Sequence, residues 1–257
     1  MPAGIRPQRL LPPIGVAQSS KPRASFFLKI TFMRTWVKFC GTTSLADALA
    51  SIAAGADALG FIFAPSKRQV TATQVSAITK QLPHEIEKIG VFVEERVENI
   101  LSIVEATGLT GVQLHGQESS SDVARLAQKR GSHKDFRVIR TVLVQESFRE
   151  ELHSAMSAVR PPDCVLLDSG SGSGKTFVWS AAKEAVKDAA QESSGSAAVQ
   201  IIVAGGLTPE NVGEAIRTLS PWGVDVVSGV ELQAGKKDPQ KLKAFVDSVR
   251  KAESKNG

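Results

Sequence analysis

The apolar run Val165-Leu166-Leu167 ends on Asp168 and opens at once into the glycine–serine stretch Ser169–Thr176, as in a strand that delivers a carboxyl group to a loop-lined mouth. A carboxylate so placed must be solvated, paired or used. Val37-Lys38-Phe39 ends in the same way on Cys40, followed by Gly41-Thr42-Thr43. A thiol there is either a small buried apolar side chain or, as its thiolate, a nucleophile or base. Two further runs end on glycine turns, at Ala204-Gly205-Gly206 and at Ser228-Gly229. Such glycines let backbone N–H groups approach an anion such as a phosphate, or simply make tight turns. Arg68, in Pro65-Ser66-Lys67-Arg68, could grip a carboxylate through two hydrogen bonds or lie solvated on the surface. His115 follows Val112-Gln113-Leu114 with no second histidine nearby, so it is not read as a metal ligand. Cys164 precedes Asp168 by four residues, about 13 Å at ~3.3 Å per residue, so it belongs to the core near the opposite end of the strand and cannot pair with Cys40.

Groups scattered so widely must be gathered by regular elements. From Met33 onward, short apolar runs suited to strands (37–40, 58–63, 88–93, 111–114, 137–141, 164–168, 200–204 and 223–227) alternate with segments of helical spacing (44–54, 72–81, 96–106, 119–130, 147–158, 179–190, 209–218 and 239–251). Ser44 offers a helix cap, and Thr208-Pro209-Glu210 offers a cap, a first-turn proline and an acid. Strands without polar alternation are those of a parallel sheet covered by helices. Eight β-α units in succession predict an α/β chain forming a single (β/α)8 barrel over residues 33–257, with an open doubly wound sheet as the alternative. The stretches 191–198 and 131–135 read as loop insertions that precede strands, at the barrel face away from the chemistry.

Residues 1–32 hold five of the twelve prolines and no periodicity, so they read as a disordered extension. An upstream start with Met33 as the natural initiator explains it, as would a targeting segment. Residues 1–34 also carry six basic side chains and no acid, so the net charge of +5 leaves −1 for the remainder. A near-neutral body without a basic, aromatic-interleaved stripe argues against a nucleic-acid partner. No run approaches the ~18 apolar residues of a membrane span, and two cysteines without a CxxC pair indicate a reducing, cytoplasmic setting and neither a disulfide framework nor a metal. Gly174-Lys175-Thr176 would end a nucleotide-binding loop of the G-x-x-x-x-G-K-[ST] kind, but the first glycine is replaced by Ser169.

Taken together, Val37–Gly41, Gly55–Phe61, Ser66-Lys67-Arg68, Gly90–Val93, Val112–Gly116, Leu166–Asp168 with Gly172–Phe177, Ala204–Leu207 and Val224–Val226 with Ser228–Glu231 resemble the phosphoribosylanthranilate isomerase family of tryptophan biosynthesis, in family order from about residue 35 to 250. The resemblance implies a cofactor-free barrel that isomerises N-(5′-phosphoribosyl)anthranilate by an Amadori rearrangement. It implies Cys40 as general base and Asp168 as general acid, with Arg68 on the anthranilate carboxylate and the phosphate at Gly206 and Ser228-Gly229. Gln113, His115, Gly205 and Asp225 complete the substrate contacts it implies. The chain departs from the family pattern in having Val178 where aspartate is usual, Val227 where serine is common, and a short loop after Asp168. The implied partner is a small phosphoribosyl substrate, with monomer and homodimer both open. The rivals are another phosphosugar isomerase of the same barrel type and a non-catalytic phosphosugar-binding barrel, which would need the glycine turns but not both Cys40 and Asp168.

Overall fold

A computed structural model describes residues 34–131, 136–169, 179–192 and 199–254. The expected extension 1–32, all but Ser169 of the expected glycine–serine loop Ser169–Thr176, Val178, and most of the two expected insertions lie outside the described residues.

Eight strands, β1 (Trp36–Phe39), β2 (Ala58–Ile62), β3 (Glu87–Phe92), β4 (Gly111–Leu114), β5 (Arg137–Leu143), β6 (Cys164–Asp168), β7 (Gln200–Val203) and β8 (Gly223–Val226), form a closed barrel in chain order. Because β1 pairs in parallel with both β2 and β8, the barrel stands and the open sheet does not. The helices are α1 (Leu45–Ala54), α2 (Ala72–Thr79), α3 (Val97–Thr107), α4 (Ser120–Ala127), α5 (Phe148–Met156), α6 (Trp179–Glu192), α7 (Val212–Leu219) and α8 (Pro239–Glu253). None is long and apolar enough to cross a membrane.

Ser44 caps α1 as expected, accepting the Asp47 N–H at 3.1 Å. The expected cap of α7 is corrected: the helix begins three residues later, with Asn211 at its N-cap position. Thr208–Asn211 instead fold into a turn, in which the Thr208 N–H donates to Asn211 Oδ1 at 2.8 Å and the Glu210 N–H to Thr208 Oγ1 at 3.2 Å. A short two-stranded hairpin, β9 (Glu231–Gln233) and β10 (Lys236–Lys237), stands between β8 and α8 and has no counterpart among the expected elements.

Strand alternation decides what fills the barrel and what faces the helices. Val37 and Phe39 of β1 pack outward with Phe245 and Val249 of α8, whereas Trp36 joins the interior cluster of Ile89, Ile139, Cys164, Leu166 and Ile202. The N-terminal end is plugged: Trp36 stacks on Trp222 at 5.0 Å, and the Arg137 guanidinium lies 4.8 Å from the Trp222 ring while pairing with Glu87 at 2.6 Å. Cys164 sits in this plug, fully buried, and burial pushes its thiol up to about 12 against the pull of Arg137, so it stays protonated. The opposite, C-terminal end is left for chemistry, as in other barrels of this kind.

Candidate active site

One step above the apolar plug, the barrel interior turns polar. Lys38, two residues before Cys40 and therefore on the same face of β1, is fully buried. Its Nζ donates to Asp225 Oδ1 of β8 at 3.0 Å and to Gln113 Oε1 of β4 at 2.9 Å. Burial pulls the ammonium down, but Asp225 and Cys40 outweigh it and hold Lys38 above the ordinary lysine value. An ammonium can only donate, which fixes the Gln113 amide with its oxygen toward Lys38 and its NH₂ outward. That NH₂ donates to Thr141 Oγ1 and to His115 Nδ1, both at 3.2 Å. With Nδ1 accepting, the neutral His115 ring carries its proton on Nε2, which faces Asp168 Oδ2 at 3.9 Å. A chain of contacts thus runs from the buried Lys38 to the carboxyl group at the end of β6. The Gln113 amide thus meets protein partners at both its oxygen and its nitrogen.

Cys40 ends β1 at the same mouth, nearly fully buried. Gly60 of β2 makes room for it: a Cβ there would lie 2.6 Å from Cys40 Sγ, so any side chain at 60 displaces the sulfur. Burial pushes the thiol above its ordinary value, while Lys38 and Lys237 pull the other way.

Arg68 does grip a carboxylate through two hydrogen bonds, but an internal one. Its Nε and Nη2 meet Glu231 at 2.8 and 2.6 Å. Burial pushes Glu231 up, and the hydrogen bond from Arg68 together with Lys237 more than offsets this, holding the carboxyl below the usual range. Nη1 has no partner among the described residues, which leaves one edge of the fork for a ligand.

The two glycine turns meet. Gly205 and Gly206 both adopt positive φ, and a Cβ at Gly229 would collide with the Leu207 carbonyl, so the turn after β7 and the 3-10 turn Ser228–Val230 touch. The first is pinned by Asn211 Nδ2, which donates to the Gly206 carbonyl at 2.9 Å. Among the described residues the N–H groups of Gly206, Ser228 and Gly229 find no backbone acceptor, so they are available to an anion. No group of three or more His, Cys, Asp or Glu side chains suited to a metal occurs among the described residues.

Glu118 was not anticipated. Its carboxylate accepts from the N–H groups of Glu94 and Gly116, each at 2.9 Å, and from Arg140 at 2.7 Å, tying the loops after β3 and β4 to β5 beside His115. Lys237, also unanticipated, is fully buried with its Nζ 2.6 Å from the Cys40 carbonyl oxygen. A lysine inside an apolar strand was the readable signal for Lys38; Lys237 follows no periodic run and left none.

Comparison with known proteins agrees with this geometry. The sequence profile of a family described as N-(5′-phosphoribosyl)anthranilate (PRA) isomerase matches residues 37–248. The N-(5′-phosphoribosyl)anthranilate isomerase of Oceanobacillus iheyensis is 39% identical over 217 residues, 84% of this chain and 97% of that protein. The crystal structure of phosphoribosyl anthranilate isomerase from Thermotoga maritima superposes with a TM-score of 0.71 at 36% identity, covering 84% of this chain and 99% of that one. A phosphoribosyl anthranilate isomerase in complex with reduced 1-(o-carboxyphenylamino)-1-deoxyribulose 5-phosphate gives 0.70 at 35% identity, with the same coverage.

Proposed function

Since the chain belongs to the N-(5′-phosphoribosyl)anthranilate isomerase family and is an isomerase of tryptophan biosynthesis, we propose that it converts N-(5′-phosphoribosyl)anthranilate to the 1-deoxyribulose 5-phosphate product with Cys40 as general base and Asp168 as general acid. The observation that carries this reading is the meeting, at one barrel mouth, of the strand-end thiol of β1 and the strand-end carboxyl of β6, beside two touching turns with free N–H groups. Asp168 protonates the ribose ring oxygen, and the ring opens to an iminium. The iminium makes the C2 proton acidic, the Cys40 thiolate removes it, and the resulting enolamine tautomerises to the ketone. No atom is gained or lost. The Gln113–Lys38 chain orients His115 with Nε2 facing Asp168 across 3.9 Å, a gap longer than a hydrogen bond. The phosphate binds the N–H groups of Gly206, Ser228 and Gly229, with Gly205 shaping the turn, and Nη1 of Arg68 takes the anthranilate carboxylate. Asp225 serves through Lys38 rather than by touching substrate.

The direct test is a steady-state fluorescence assay on phosphoribosylanthranilate. Saturable turnover supports the reading, and binding without turnover would favour a non-catalytic phosphosugar barrel. Arg68→Ala should raise KM by roughly 30- to 150-fold, the equivalent of about 2–3 kcal/mol for a desolvated charged contact. Unchanged KM and kcat would remove Arg68 from the site.

The pH profile follows from the proton count. The reactive form needs Cys40 deprotonated and Asp168 protonated, which together hold the same number of protons as the thiol–carboxylate form. Its fraction therefore does not change with pH between the two titrations, and kcat/KM should be flat there. The alkaline fall begins only when the proton is lost altogether. Because Cys40 is raised by burial, this fall should lie above the ordinary thiol range. A profile climbing steadily through neutrality would contradict the assignment.

A further inference from the structure

The hairpin β9–β10 lies outside the barrel, yet its last residue sends an ammonium into the site. Lys237 Nζ donates to the Cys40 carbonyl at 2.6 Å and the Val227 carbonyl at 3.3 Å, and stands 3.4 Å from Glu231 Oε1. The hairpin is held from several sides. Thr43 Oγ1 donates to the Gly235 carbonyl at 2.6 Å, the Lys237 N–H to Asp47 at 3.2 Å, and Lys241 Nζ to the Glu231 carbonyl at 2.9 Å.

A buried ammonium is costly unless its charge is answered. Glu231 answers Lys237 only in part, because Arg68 grips both of its oxygens. Lys38 and Asp225 answer one another. Around the end of β1, then, the cations Lys38, Arg68 and Lys237 face the carboxylates Asp225 and Glu231, while Asp47 and Lys241, on the hairpin backbone, add one charge of each sign, and one positive charge is left over. Cys40 is the ionisable group in contact with this cluster, and its thiolate would complete the balance.

Resting on the reading of Cys40 as the base, we propose that Lys237 is its positioning residue: the ammonium fixes the backbone at the end of β1 and supplies the uncompensated charge that the Cys40 thiolate answers. The two groups are coupled in both directions. Burial pushes Lys237 down while Glu231 and Cys40 oppose it, and burial pushes Cys40 up while Lys38 and Lys237 oppose it.

The chain suits a direct test, having two cysteines and no tyrosine. In a Cys164→Ala background the ultraviolet thiolate band reports Cys40 alone, with no tyrosinate beneath it. Lys237→Gln keeps a donor for the Cys40 carbonyl but loses the charge. It should show about tenfold less thiolate at a given pH on the rising part of the titration, with the alkaline limb of kcat/KM displaced upward to match. A folded Lys237→Gln protein with an unchanged thiolate titration overturns the proposal even if kcat falls, since Lys237 would then be a strap only. Glu231→Gln serves if Lys237→Gln does not fold. Removing the shared carboxylate should bring the thiolate in at lower pH, and an unchanged or higher pH overturns the proposal. The titration needs no turnover, so a failure of the base assignment, seen as Cys40→Ser turning over at the parent rate, is a separate result.

Discussion

Cys40→Ser should remain folded and lose about 10²–10⁴-fold in kcat, the usual worth of general acid–base catalysis. The substitution preserves shape in a site so tight that Gly60 must lack a Cβ, but it replaces a thiol by a far weaker acid whose conjugate base is scarcely populated near neutrality. Asp168→Asn should lose a similar amount, because an amide cannot deliver the proton to the ring oxygen. In the proposed mechanism both groups act on the transition state, so KM should move little beside kcat. Turnover near the parent rate in either variant would make that residue a core thiol or a solvated lining carboxylate instead. The pair also separates this mechanism from a barrel that merely binds phosphosugars, since the touching turns at Gly206 and Gly229 survive both substitutions.

The groups that ended strands were legible because a strand end is a local pattern: an apolar run followed by glycine or serine. Cys40, Asp168 and the Gly205–Gly206 and Ser228–Gly229 turns are of this kind, and the eight-fold alternation behind them carried the barrel. The partner of Arg68 was not legible. Its carboxylate lies 163 positions away, in a hairpin whose existence no periodicity announces. Glu118 was missed for a similar reason, since a carboxylate that binds two loop N–H groups looks in sequence like any surface acid. The start of α7 was misread because a threonine before a proline and an acid satisfies the local rule for a cap, while Asn211, three residues on, closes a turn that pre-empts it. Lys38 lay between. Its two-residue spacing from Cys40 puts it on the same strand face, a signal the reading of strand ends passed over, and its partners on β4 and β8 exist only once the barrel has closed.

That closure makes Lys38 a residue whose loss should be costly in stability as well as in activity. Lys38→Met would leave Asp225 buried opposite an apolar side chain and the Gln113 oxygen without its donor. Breaking a buried pair from one side typically costs about 3–5 kcal/mol, so the melting temperature should fall on the order of 10 °C. The double variant Lys38→Met with Asp225→Leu removes the stranded charge as well as its partner. It should recover much of the loss, because an apolar pair of similar volume is often no less stable than a buried ion pair. Activity should not return with it. Without the ammonium no donor-only group forces the sense of the Gln113 amide, which can then flip between Thr141 and His115, and the tautomer and aim of the His115 ring beside Asp168 are no longer fixed. A Lys38→Met protein that melts with the parent would mean that the Lys38–Asp225 pair does not support the fold. A double variant that regains turnover together with stability would mean that the polar layer supports the barrel and has no part in aiming the acid.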